Sequence, residues 1–166
     1  MLGLRLPLDG LKWLNTSDGA SVDVTGKVTL VRWWTDSCPF CAASLPAMEA
    51  LTRRYGRAGF QAVGVYHPKP PRHVEAAEVL RSARTLGYTG PVATDLDWAT
   101  LNRVYLSTGN RASTSVSFIL DHDGIIRFIN PRPEFRPTDD PAMAEINRDY
   151  EDIRSTIEAL LAEKPD

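Results

Sequence analysis

The chain has 166 residues, 43% of them hydrophobic and 24% charged, with 19 basic against 21 acidic side chains and a net charge of −2. These values fit one compact globular domain and exclude a disordered chain, a collagen-like chain, a membrane bundle and the basic footprint of a nucleic-acid binder. Two cysteines, Cys38 and Cys41, exclude a disulfide-stapled scaffold, since so short a bridge restrains almost no chain, and a four-cysteine zinc site.

Residues 10–27 read as a short hairpin or an extended lead-in, broken by the polar run 15–19 and by Gly26. Residues 28–35 (VTLVRWWT) are β-branched and aromatic, which predicts a strand covered on both faces. Pro39 suits the first position of a helix. Leu45, Met48, Leu51 and Tyr55 then recur at helical spacing, Pro46 should kink the helix and Gly56 can end it. Residues 60–66 (FQAVGVY) predict a strand. Residues 72–86 predict a helix with Val74, Ala77, Leu80 and Ala83 on one face, ended by Gly87. Residues 91–94 and 97–106 predict a short strand and a short helix. Residues 116–121 and 125–129 flank His122-Asp123-Gly124, a strong hairpin signal. Four prolines in the eleven positions 131–141 require an ordered loop or a tether. Met143, Ile146, Tyr150, Ile153, Ile157 and Leu160 mark a last helix over 142–163. Alternating strands and helices followed by an antiparallel hairpin predict an α/β protein with a mixed central sheet and helices on both faces. The expected organisation is a single domain over 1–166, with residues 1–27 as an N-terminal extension.

No stretch approaches the roughly 18 to 20 apolar residues that span a bilayer. The start, MLGLRLPLDGLKWLN, lacks the order of a signal peptide. The expectation is a cytoplasmic protein without a membrane span, the alternative being an exported form whose signal has been removed.

Cys38-Pro39-Phe40-Cys41 falls where the buried strand ends and the first helix begins. A thiol there faces unpaired backbone N–H groups and the positive end of the helix dipole, which stabilise its thiolate. Cys38 is thereby the nucleophile. Two intervening residues in a helical turn bring Cys41 within reach to resolve a mixed disulfide. Zinc would need two of His67, His73 and His122, and none stands at ligand spacing to the pair, so no metal is expected. His67 reads as a solvent-exposed loop residue, the alternative being a place at the edge of the active site, and Trp13, Trp33 and Trp98 read as core.

The segment VTLVRWWTDSCPFCAASLPAMEAL resembles the active-site segment of the thioredoxin superfamily, more closely its TlpA-like and AhpC/TSA-like redoxin branch. FQAVGVY, SFILDHDGIIRFI and the lead-in LKWLNTSDG…GKV are similar to further parts of that branch, so the resemblance covers roughly residues 10–130. It implies the thioredoxin fold with an N-terminal hairpin extension and an inserted helical segment. It also implies a thiol–disulfide oxidoreductase that needs no cofactor and takes its electrons from an external dithiol or reductase. The expected substrates are disulfide-bearing proteins or small thiols.

On that resemblance Pro39 and Phe40 tune the cysteine pair and Trp34 packs beside it. Arg32 stands where thioredoxins carry a buried acid, which an arginine cannot replace as a base. Its stem is expected to pack on Trp34 while its head finds a carboxylate or solvent, or else its charge favours the thiolate. Ser44 stands where TlpA-like proteins commonly have a glutamate. Ser115, after Thr114, stands at the position of the cis-proline opposite the disulfide. A cis bond before serine would cost about 3–4 kcal/mol, so the Thr114–Ser115 peptide is expected to be trans. Thr35, three residues before Cys38, matches half of the peroxiredoxin T-x-x-C motif, with Val31 where its proline belongs and Arg32 or Arg111 as the arginine to recruit. A peroxiredoxin-like peroxidase is therefore the second functional reading. A non-catalytic redox sensor or binding module is the third.

Overall fold

The computed structural model describes residues 1–163. Among them, six strands form one mixed sheet: β1 (Lys12–Trp13), β2 (Val28–Trp34), β3 (Phe60–Tyr66), β4 (Val92–Thr94), β5 (Ser117–Leu120) and β6 (Ile126–Asn130), in the order β1-β4-β3-β2-β5-β6. The helices are α1 (Pro39–Tyr55), α2 (Ala76–Thr85), α3 (Ala99–Val104) and α4 (Ala144–Ala162). Strands β2, β3 and β4 run parallel, because α1 and α2 carry the chain back across the sheet between them. Strands β5 and β6 are antiparallel, closed by a tight turn at Gly124, whose φ is 78°. Asp121 Oδ1 accepts the Asp123 and Ile125 amides there, at 3.0 and 3.1 Å.

Every residue of β2 is buried, as its composition requires. Leu30 and Trp34 join a core built with Leu45, Met48 and Leu51 of α1, Val79 of α2, and Ile153 and Ile157 of α4. Val31 and Trp33 face the opposite core, with Leu101 of α3 and the N-terminal Leu6, Leu8, Leu11 and Trp13. Gly64 in β3 lies on the first face under Trp34. A Cβ there would come within 2.9 Å of Trp34 Nε1, so a side chain is excluded by the indole.

Three expectations are corrected. The hairpin in residues 10–27 does not form; the extended reading holds. Lys12 and Trp13 pair instead with Thr94 and Ala93 of β4, and Asn15 bonds the Val92 amide and the Gly90 carbonyl. This lead-in caps the sheet edge rather than folding on itself. α1 ends at Tyr55, directly before Gly56, as the sequence predicts, and Gly59, φ 104°, turns the chain after a short 3-10 turn. α2 begins at Ala76, after the stiff Pro70-Pro71 stretch, so its buried residues are Val79 and Ala83, while Ala77 is exposed. His67 is not in solvent: it is fully buried at the end of β3. Among the described residues no helix is long and apolar enough to cross a membrane.

Candidate active site

β2 delivers the site. Its last residue, Trp34, is fully buried and meets Tyr66 edge-to-face with ring centroids 5.0 Å apart. Thr35 is buried, its Oγ1 3.4 Å from Ser37 Oγ. Asp36 is exposed and accepts a hydrogen bond from the Tyr66 hydroxyl at 3.3 Å. Burial and the Asp36 charge push that hydroxyl up to about 12, so it holds its proton. Cys38 follows, half-buried and packed against the core that contains Trp34. Its carbonyl accepts the Ala42 amide at 3.3 Å, which makes Cys38 the residue that opens α1. Cys41 falls in the first turn of α1; its side chain lies outside the described part of the structure.

Arg32 points to the same face as Leu30 and Trp34 and is fully buried. Its head does not reach solvent. Nη1 donates to Ser117 Oγ at 3.0 Å, Nη2 donates to the Pro133 carbonyl, and the guanidinium lies 5.0 Å from the centre of the Phe135 ring. Ser44 accepts the Phe135 amide at 3.1 Å and lies within donating reach of the Phe40 and Pro133 carbonyls. Arg32 and Ser44, at the two positions where the resemblance leads one to expect acids, therefore anchor the proline-rich segment. That segment is an ordered strap over α1 and β2, with Phe135 fully buried beneath it.

The Thr114–Ser115 peptide is trans; the one cis bond among the described residues is Lys69–Pro70. Ser115 is buried, with its amide bonded to Ser113 Oγ at 3.1 Å. Thr114 Oγ1 lies 2.9 Å from His67 Nε2. Burial holds the His67 imidazole down to about 4, the Lys69 and Arg32 charges acting in the same sense against the opposing Trp34 carbonyl. His67 is thus neutral at ordinary pH. Its ring lies edge-to-face against Trp98, whose indole N–H donates to the Pro68 carbonyl.

Cys38 opens onto a cleft of about 840 Å³. Pro39 and Phe40 line it beside Cys38, and Phe40 is 52% exposed. Ser113 also lines it, whereas Arg32, Trp34, Thr35, Thr114 and Ser115 are not among its lining residues. Sequence reasoning missed Lys69, Tyr105, Pro131, Arg132 and Pro133 as cleft residues. The crowding of prolines in 131–137 was the available signal for the last three. Among the described residues, no group of three or more histidines, cysteines or acids is placed to hold a metal ion.

A model of the AhpC/TSA family matches residues 12–129. Over 120 residues, 70% of this chain, the sequence is 28% identical to protein DipZ of Mycobacterium bovis, and the match spans 16% of that protein. It is 34% identical over 92 residues, 54% of this chain, to the NHL repeat-containing protein 2 of Bos taurus, where it spans 13%. Both relatives are thus far longer than the region they share with this chain. Among solved structures, a candidate thiol:disulfide interchange protein DsbE from Chlorobium tepidum superposes with a TM-score of 0.70 at 23% identity, covering 98% of this chain and 99% of that one. The fold is the thioredoxin fold, as the resemblance implies.

Proposed function

The chain belongs to the AhpC/TSA family, and from that premise we propose that it is a thiol–disulfide oxidoreductase working through Cys38 and Cys41. The observation that carries this reading is the placement of Cys38: half-exposed, opening α1, and bordering an open cleft. The Cys38 thiolate attacks one sulfur of a substrate disulfide R–S–S–R′, forming a Cys38–R mixed disulfide and expelling R′–S⁻, which takes a proton. The Cys41 thiolate then attacks the Cys38 sulfur, closes the Cys38–Cys41 disulfide and releases R–S⁻. Two electrons pass to the substrate, and an external dithiol or reductase returns them. Trp34 supports the thiol from the core, Pro39 and Phe40 shape its approach, and Thr35, Thr114 and Ser115 fix the loops on either side.

Incubating the protein with a dithiol and either insulin or glutathione disulfide tests this. Wild type is expected to accelerate reduction, Cys38→Ser to be inert, and Cys41→Ser to accumulate a mixed disulfide at Cys38. Peroxide consumption without disulfide reduction would overturn the reading in favour of a peroxidase. Inertness of the wild type in both assays would overturn it in favour of a binding module.

A further inference from the structure

The cleft beside Cys38 carries an uneven charge. Three cationic side chains line it, Lys69, Arg111 and Arg132, and none of its described lining residues bears a carboxylate. The three are not equivalent. Arg132 is paired with Glu145 and lies 3.6 Å from Asp149, so its charge is neutralised from α4. Among the described residues, Arg111 is held by neutral groups. Nε donates to the Tyr105 carbonyl at 3.3 Å, Nη2 donates to Thr108 Oγ1 at 2.7 Å, and the guanidinium sits 4.5 Å from the centre of the Tyr105 ring. These contacts fix its plane and leave its charge uncompensated. Lys69 is exposed and enters no ion pair among the described residues. The 17-residue α1 adds the positive end of its dipole at Cys38.

The cleft also offers apolar surface. Phe40, 52% exposed, presents an aromatic face beside these cations, so the site combines hydrophobic contact with positive charge. Its volume, about 840 Å³, is in the upper part of the range that holds drug-sized ligands.

If Cys38 is the nucleophile of disulfide exchange, as proposed above, we propose that this cleft selects disulfides borne on acidic peptide segments, with Lys69 and Arg111 as the specificity-determining residues. Carboxylates flanking the substrate sulfurs meet Arg111 as a rigid, oriented partner and Lys69 as a long, adaptable one. Complementary charge of this kind acts mainly on encounter rate and partner choice.

Three synthetic peptide disulfides, identical except for glutamate, glutamine or lysine beside the cysteine, test this by the rate at which each oxidises the reduced protein. The acidic probe is expected to react about tenfold faster than the basic one at low salt, the ratio shrinking at high salt. The ratio is expected to fall towards one in the Lys69→Gln/Arg111→Gln variant. Lys69→Glu, at an exposed side chain that leaves the Tyr105 contact intact, should lower it as well, so the test survives poor folding of the double variant. A wild-type ratio near one, with all probes reduced, would overturn the substrate preference and leave the oxidoreductase reading standing. A preference that persists in both variants would overturn the assignment to Lys69 and Arg111. Failure to reduce any probe would overturn the oxidoreductase reading, and the preference with it.

Discussion

His67 converts the acid side of the pH scale into a stability measurement. Folded, it is fully buried beside Trp98 and Thr114, and its imidazole stays neutral down to about pH 4. Unfolded, it takes up a proton near its ordinary value of 6.5. Between those limits the unfolded chain binds more protons than the folded one, so stability falls as pH falls from 6.5 to about 4 and is independent of this group above 6.5. A gap of roughly two and a half pH units, at about 1.36 kcal/mol each, makes the loss about 3 kcal/mol. The assay is urea unfolding of the reduced protein across this range, for the wild type and for His67→Gln, whose amide can still reach Thr114. Carboxylate titration is common to both proteins and cancels in the difference. The difference curve should rise by about 3 kcal/mol from pH 4 to 6.5 and then level off. A flat difference, or an NMR titration of the His67 ring with a midpoint near 6.5, would refute the reasoning.

Four further outcomes are expected. Arg32→Leu removes the donors to Ser117 Oγ and the Pro133 carbonyl and should destabilise the fold by about 1–3 kcal/mol; an unchanged urea midpoint removes that anchoring role. Ser44→Ala leaves the buried Phe135 amide without its acceptor. It should cost about 1–3 kcal/mol and speed hydrogen exchange at Phe135, whereas unaltered exchange would show that the strap is held elsewhere. Gly64→Ala forces the Trp34 indole out of place and should destabilise the fold by about 1–3 kcal/mol with a changed tryptophan emission, both readable in one denaturation series. The Pro-Phe dipeptide between the cysteines, similar to the Pro-Tyr of glutaredoxins, sets an expected potential of about −200 to −230 mV; equilibration against glutathione measures it, and about −120 mV would contradict it.

Strands β2 and β3, the β5–β6 hairpin and α4 were legible because each carries a strong periodic or turn signal of its own. The lead-in was only half legible. Whether residues 10–27 fold back or pair elsewhere depends on the free edge of β4, fifty or more residues away, which no local pattern encodes. His67 was misplaced for a related reason: a histidine before a proline reads as loop, yet Trp98 and Thr114 arrive from distant segments to cover it. At the site, the cysteine pair and its junction were visible as spacing. The partners of Arg32 were not. A carboxylate or solvent was the natural expectation for a buried guanidinium, and a backbone carbonyl from a proline-rich loop has no sequence signature.

The strap between β6 and α4 also constrains how this chain could change. Arg32, Ser44 and the Pro133–Phe135 backbone form one interlocked set, so the three sites are expected to be epistatic. An acid introduced at position 32 alone would turn a carboxylate towards the Pro133 carbonyl and strip Phe135 of its cation. An acid at position 44 alone would displace the acceptor of the Phe135 amide. Introducing a proton-relaying carboxylate at either position is therefore not a one-step substitution here. It requires the loop to be rebuilt first, and a chain that holds both an acid at either position and this strap intact should be poorly folded.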